Sequence, residues 1–251
     1  MKTLLKVKDL CKTYIVNKQQ NNVLRNVNMS IGEGEYTAVM GPSGSGKSTL
    51  LYTVSGMDRL TAGEIFFDGR SLSEMKEEAM ASLRLTEMGF IFQQMYLLKN
   101  LSIYDNIILS AYMANKRSRS EINADADALM NQLGIMELAD NDISETSGGQ
   151  LQRACICRAL INRPKILFAD EPTGALNSTA AQEVMNVLDQ VNAQGTALMV
   201  VTHDPAVAAR AYRVLYIRDG NINGEYEPAK TANDSRERER GLNQWLMDMG
   251  W

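Results

Sequence analysis

The sequence predicts an α/β protein with a parallel sheet, an N-terminal antiparallel β subdomain and an inserted helical subdomain. Three observations carry this reading. After Pro164, apolar runs at 165–169 and 197–202 alternate with helical segments at 179–193 and 205–211, the pattern of strands joined by crossover helices. Earlier, the short run Glu35–Met40 (EYTAVM) feeds a Gly/Ser-rich segment that opens a helix. Between Ser73 and Asn162 the texture turns to Glu, Met, Ala and Leu at helical spacing, which reads as an insertion into the α/β core.

Taken in order, Leu4–Val7, Tyr14–Val16 and Val23–Ile31 are short β-prone runs, and the Asn/Gln-rich stretch Asn17–Asn22 reads as a hairpin connection. The helix after Met40 carries Leu50, Leu51 and Val54 on one face and stops at Gly56. Gly63–Phe67 is a strand closed by the Asp68-Gly69 turn. Helices are expected at 73–85, 103–114, 120–132 and 150–162, and a hairpin 213–218/221–225 around Asp219-Gly220. From Pro228 to Arg240 the chain is polar and charged, a linker or exposed helix. Beyond it, Leu242, Trp245, Leu246 and Met249 fall at i, i+3, i+4 and i+7 on one helical face. A free tail rarely exposes two tryptophans. The expected organisation is therefore one domain over 1–228, with its helical subdomain at about 97–163, and a polar linker with an amphipathic docking tail over 229–251. That tail would dock on the body of the chain, a second copy or a membrane partner.

Composition narrows the function. At 251 residues, 45% apolar and 22% charged, the chain can bury a sizeable core. A net charge of −4 argues against a nucleic-acid binder, whose footprint is a basic face. Three cysteines (Cys11, Cys155, Cys157) have no metal-type or redox-type spacing, which suggests a reducing compartment. The single histidine, His203, excludes a multi-His metal site. Lysines at 2, 6, 8 and 12 interrupt the apolar run a signal peptide needs, and no apolar stretch approaches the ~20 residues that cross a bilayer. Any membrane role is expected to come through a partner. The basic run Lys116-Arg117-Ser118-Arg119 reads as a solvated loop, with contact to anionic headgroups as the alternative.

Chemistry concentrates in two places. Gly41-Pro42-Ser43-Gly44-Ser45-Gly46-Lys47-Ser48-Thr49 satisfies G-x-x-x-x-G-K-[ST] between a strand and a helix. Its glycines let backbone N–H groups turn inward into an anion nest at a helix N-terminus. Lys47 is placed to reach β- and γ-phosphates, and the Ser48 hydroxyl to ligate Mg²⁺. Further on, the apolar strand Ile166–Ala169 ends in Asp170 and Glu171. Ligands in parallel α/β sheets bind off the carboxyl ends of strands, so Asp170 suits the Mg²⁺ shell and Glu171 the activation of a water. Ser147-Gly148-Gly149-Gln150 before a helix with Arg153 and Arg158 is a second anion nest or a simple N-cap.

Phosphate loop, SGGQ, acidic strand end and a lone histidine after the next strand together resemble the ATP-binding cassette (ABC) ATPases over residues ~3 to ~225. The resemblance implies a P-loop NTPase fold of the ABC type, with ATP and Mg²⁺ as ligands. It assigns Tyr14 to stacking on adenine, and Gln93, in Gly89–Gln93, to Mg²⁺ and to coupling with the membrane partner. It assigns Ser147–Gln150 to the γ-phosphate held by the opposite subunit of a head-to-tail homodimer. Glu171 becomes the catalytic base, His203 the hydrogen-bond partner of the γ-phosphate, and Lys47 the third catalytic group. Gly174–Asn177 corresponds to the loop that communicates across the dimer. Two departures stand out: Thr146 precedes Ser147 where Leu is usual, and Asn177 replaces Asp.

Several stretches resemble the macrolide-exporter, lipoprotein-release and bacitracin-resistance branch. These are the Asn/Gln stretch before Val23-Leu24, Ser55-Gly56-Met57-Asp58 with Thr61–Ile65, Arg84 with Gly89–Gln93, and Ala169–Leu176, nearest the peptide-antibiotic resistance members. The branch implies an integral membrane permease at the cytoplasmic face, an extracytoplasmic adaptor in some assemblies, and no nucleic acid. An importer ATPase is the alternative within transport. Soluble ABC proteins of DNA repair or translation form a second class, but they carry long coiled coils or two cassettes. A non-hydrolysing scaffold would lack Glu171 or His203.

Overall fold

The computed structural model describes residues 2–228 and 234–251; the part of the expected linker at 229–233 lies outside them. Contacts divide the chain into two compact units, Met1–Met80 with Ala197–Trp251, and Ala81–Thr196.

The first unit holds two sheets. Strands β1 (Thr3–Val16) and β2 (Gln19–Gly32) form one long antiparallel hairpin. Its turn is only Asn17-Lys18, both at left-handed φ (51° and 62°), the geometry that matches the right-handed twist of paired strands. The expected connection over 17–22 is thus shorter, because Gln19 and Asn22 already pair with Val16 and Thr13. Polar side chains are tolerated there because this end of the hairpin is exposed. Strand β4 (Ala62–Phe67) pairs with β1, and the two-residue β5 (Arg70–Ser71) completes the order β2-β1-β4-β5. Leu5, Leu10, Ile31, Ile65 and Phe67 are fully buried in its core.

In the second sheet of this unit, β3 (Tyr36–Met40) lies parallel to β8 (Ala197–Val201) and β9 (Arg213–Arg218) on either side, and β10 (Asn221–Tyr226) closes antiparallel on β9. Every residue of β3 and β8 is buried, as expected of central parallel strands covered on both faces. Helix α1 (Lys47–Val54) packs on β8. Helix α7 is a single turn, Pro205–Ala208, with Pro at its start and the Asp204 side chain accepting from the Ala206 N–H at 2.8 Å. The last helix, α8 (Ser235–Asp248), begins within the polar run rather than after it. It buries Leu242 and Leu246, while Trp245 stacks on Tyr226 (5.4 Å) and meets Tyr216 edge-on (6.1 Å).

One ion-pair cluster is set deep in this unit. Arg213 reaches Glu35 at 2.7 Å and Glu225 at 3.3 Å and donates to the Ser30 carbonyl, while Thr37 Oγ1 and the Gly32 N–H both donate to Glu35 at 2.8 Å. Burial opposes the guanidinium charge, but the two carboxylates outweigh it and raise its pKa. Glu35→Ala should therefore destabilise the fold by about 3–5 kcal/mol, because Arg213 would be left charged and buried without its main partner. A denaturant titration showing less than about 1 kcal/mol would contradict this.

The second unit contains a parallel strand pair, β6 (Met88–Ile91) and β7 (Ile166–Asp170), joined by ring stacking of Phe90 on Phe168 at 5.6 Å. Around it lie α2 (Glu77–Glu87), within which the division into units falls, α3 (Ile103–Ala114), α4 (Arg119–Gln132), α5 (Gly148–Leu160) and α6 (Ser178–Ala193). Helix α2 starts four residues later than the sequence suggests, because the Ser73 hydroxyl instead accepts the Ile65 N–H at 3.1 Å. Strand β6 has only four residues and follows α2 directly, too short to show a period of its own. The basic run at 116–119 forms the exposed entry to α4, with Arg117 half-buried. Arg117 pairs with Asp125 and donates to the Ile161 carbonyl, Ser118 caps α4, and Arg119 lies over the Tyr112 ring at 5.3 Å. Lys116, Ser118 and Arg119 are exposed, in keeping with the solvated-loop expectation, and Arg117 is the residue of the run drawn into internal contacts.

Candidate functional site

The first unit shapes the phosphate loop from the end of β3. A Cβ on Gly41 would lie 2.0 Å from the Ile217 carbonyl oxygen, so no side chain fits where the loop leaves the strand. Gly46 sits at φ 103° as the residue capping α1, a conformation that L side chains rarely adopt. Between them Pro42, Ser43 and Gly44 are exposed and Ser45 is buried. Lys47 Nζ folds back over the loop, donating to the carbonyls of Gly41 (2.7 Å) and Pro42 (3.0 Å). Ser48 and Thr49 follow on the first turn of α1. The Ser45 hydroxyl, in a residue 5% exposed, has no hydrogen-bond partner among the described residues. A buried orphan hydroxyl beside a glycine cradle fits an anionic, acceptor-rich ligand such as a polyphosphate.

Parallel register places the histidine beside this loop. Val39 of β3 pairs with Val201 of β8, so Gly41 and His203 both lie two residues beyond paired positions at neighbouring carboxyl ends. His203 is exposed, and the chain around it is held by the Thr202 N–H to the Val39 carbonyl (3.1 Å) and by the Asp204 N–H to Thr202 Oγ1 (3.0 Å). Tyr14 stands on β1, a residue 36% exposed, with its hydroxyl donating to Asp58.

The second unit repeats the logic. Ile91 of β6 pairs with Ala169 of β7, so Gln93 and Glu171 again lie two residues past paired positions. A Cβ on Gly174 would be 3.2 Å from Gln93 Nε2 and 3.5 Å from the Glu171 Cβ, which puts these three residues in one cluster. Asp170 ends β7 and is buried. Glu171 adopts a left-handed φ of 48°, uncommon for a non-glycine residue and the kind of local strain that gathers at working sites. Carboxylates, an amide and a sharp turn at one strand edge can hold a divalent cation and a water.

In the same unit, Ser147 caps α5, and both its N–H (3.0 Å) and its hydroxyl (2.8 Å) donate to Gln150 Oε1. Gly148 and Gly149 form the first turn, where a Cβ on Gly149 would press on the Ala180 Cβ at 3.0 Å. Both departures noted in the sequence have local roles. Thr146 donates to the Asp142 carbonyl at 3.2 Å, and the Asn177 side chain caps α6 by accepting from the Ala180 N–H at 2.9 Å. Asn caps as well as Asp does, so the local helix start is kept without the charge.

Sequence reading missed the residues that hold the loop after Gln93. Arg158 on α5 donates to the carbonyls of Met95 (2.8 Å) and Tyr96 (2.7 Å), and Asn106 on α3 bonds the backbone of Leu98, Leu101 and Ser102. Their partners are main-chain atoms, as far as 63 positions away, and leave no trace in residue type.

The ABC transporter family pattern matches residues 24–174, which includes the phosphate loop, Gln93, Ser147–Gln150, Asp170 and Glu171. The chain belongs to the ABC transporter family. This ABC cassette is 41% identical over 226 residues to the macrolide export ATP-binding/permease protein MacB of Psychrobacter cryohalolentis, covering 90% of the cassette and 34% of MacB. It thus spans about a third of the length of that curated relative. Among solved structures it resembles the ATP-binding cassette MJ0796, a dimer in a post-hydrolysis state bound to ADP and Pi, with a TM-score of 0.83 at 35% identity, covering 89% of this chain and 98% of that one. It also resembles cbiO1 from Clostridium perfringens, part of the ABC transporter complex cbiONQ, with a TM-score of 0.82 at 28% identity, covering 100% and 98%. The fold is that of an ABC ATPase, with its antiparallel sheet and helical part, and the chain is an ABC transporter ATP-binding cassette.

Proposed function

We propose that this cassette hydrolyses ATP to drive a membrane permease, in the branch that exports macrolides or antimicrobial peptides or works on lipoproteins. The observation that carries this reading is the phosphate loop and His203 emerging from adjacent strand ends, with Gln93 and Glu171 emerging in the same way from β6 and β7. Lys47 neutralises the β- and γ-phosphates, the loop from Gly41 through Ser43, Gly44, Ser45 and Gly46 to Thr49 cradles them, and Tyr14 carries the adenine. Glu171 accepts a proton from the attacking water, and His203 hydrogen-bonds the γ-phosphate. Ser48, Gln93 and Asp170 would hold Mg²⁺, which when bound would supply positive charge against the phosphates. Ser147, Gly148, Gly149 and Gln150 serve the ATP held by a second copy in a head-to-tail dimer; that the similar MJ0796 cassette is dimeric supports the pairing of two copies.

No helix among the described residues is long and apolar enough to cross a membrane. A place at the cytoplasmic face is therefore proposed through the permease, with an extracytoplasmic adaptor where the transported cargo requires one. Residues 1–228 act as the ATPase domain with the helical subdomain at about 97–163. The burial of Leu242 and Leu246 supports a tail that docks on its own cassette.

The test is detergent co-purification of the tagged cassette with a permease, followed by ATPase assay of the pair. A complex with ATP-dependent turnover is expected, and a cassette that hydrolyses ATP but never retains a membrane protein would overturn the transport reading. For the tail, Leu246→Ala should cost about 3 kcal/mol of cassette stability. An unchanged thermal midpoint would show that the helix does not dock where it lies.

A further inference from the structure

Behind the exposed ring of Tyr14 lies a set of contacts that the nucleotide reading does not require. Lys12 is 7% exposed, yet its ammonium donates to Asp58 Oδ1 at 2.6 Å and to the Arg59 carbonyl at 2.7 Å. The same Nζ stands 4.5 Å from the centroid of the Tyr14 ring, within cation–π range. The other oxygen of Asp58 accepts the Tyr14 hydroxyl, so one carboxylate bridges the ammonium and the phenol. Burial and Asp58 push the Tyr14 phenol up to about 12, so it remains a proton donor throughout the neutral range. Burial alone would raise the Asp58 pKa, but Lys12 and Tyr14 hold it below the ordinary value.

An aromatic platform for a base needs a fixed plane, and a tyrosine on an exposed strand has two side-chain torsions to lose. Here the ring is held at both ends. Its hydroxyl is tied to Asp58, and the ammonium lies over one face. We propose that Lys12 and Asp58 are positioning residues that clamp Tyr14 in the plane that receives the nucleotide base. The assignment rests on Tyr14 as the base platform. It adds that the affinity for the base depends on two residues that never touch the nucleotide and on the tyrosine hydroxyl, which stacking alone does not use.

The effect is specific to ligands that carry a base. The full-length chain and its variants are titrated calorimetrically with Mg-ATP and with Mg-tripolyphosphate, which offers the phosphates without adenosine. Asp58→Asn and Tyr14→Phe should each weaken ATP by about 3- to 30-fold while tripolyphosphate affinity stays within about 2-fold. Tyr14→Ala separates this proposal from the reading beneath it. If Tyr14→Ala leaves ATP affinity unchanged, the base platform itself is wrong. If Tyr14→Ala weakens ATP while Asp58→Asn and Tyr14→Phe bind it as the native chain does, the platform stands and the clamp is overturned. Equal losses for both ligands would mark Asp58 as a support of the loop fold and also overturn the clamp. Should single removal of either charge prevent folding, Lys12→Met/Asp58→Leu removes both together. That double variant should fold, by its thermal midpoint, and should show the same selective loss for ATP.

Discussion

Glu171→Gln is expected to lower ATP turnover by about 10³-fold, within the range that general base catalysis supplies. Gln keeps the size of the side chain and an acceptor oxygen but cannot take a proton from water at neutral pH. The site around it should survive, because Glu171 is placed by backbone features: the end of β7, a left-handed φ of 48°, and the Gly174 N–H donating to its carbonyl at 3.1 Å. ATP binding, which rests on the phosphate loop, should persist. With hydrolysis stopped, ATP bridging two copies is not consumed, and an ATP-dependent dimer should accumulate. Phosphate release measures the first effect and light scattering with Mg-ATP the second. Turnover within about 10-fold of the native rate would remove Glu171 from the role of base. Only monomer in the presence of Mg-ATP would contradict the head-to-tail sandwich.

His203→Ala should reduce hydrolysis by about 10²–10³-fold, the loss expected when one donor to a developing charge is removed, and should leave ATP affinity within about 3-fold. The position of the ring is set by the register of β3 against β8 and by the Thr202–Asp204 turn, none of which uses the imidazole. The substitution is therefore expected to change chemistry without disturbing the loop. The chain contains one histidine, so histidine-directed acylation reports on this site alone. Bound ATP should slow the reaction of the ring, and acylated protein should lose turnover in proportion to the single site modified. Full activity after complete acylation would overturn the assignment.

The cluster around Tyr14 and the loop after Gln93 show where sequence reasoning reaches its limit. The phosphate loop was legible because one short segment must supply strand, glycines, lysine and helix start in fixed order. Asp170 and Glu171 were legible because an all-apolar run that ends in two carboxylates is a local event. By contrast, Lys12 and Asp58 are 46 positions apart and meet only because β1 passes beside the turn that follows α1. The short strands β5 and β6 were invisible because two or four residues cannot show a period. The long β1–β2 hairpin was read in fragments, because its exposed polar end lacks the alternation that marks a half-buried strand.

By itself, then, the sequence determined the α/β class, the family pattern and the order of chemical groups along the chain, because each depends on residues that are neighbours in the chain or spaced by one helical or strand period. The tertiary structure alone decided that His203 shares a strand edge with Gly41, that Gln93 shares one with Glu171, that Arg117 is spent on internal contacts, and that Tyr14 is held from behind. Those are consequences of register and burial, which arise only when distant segments pair and exclude water from the groups between them.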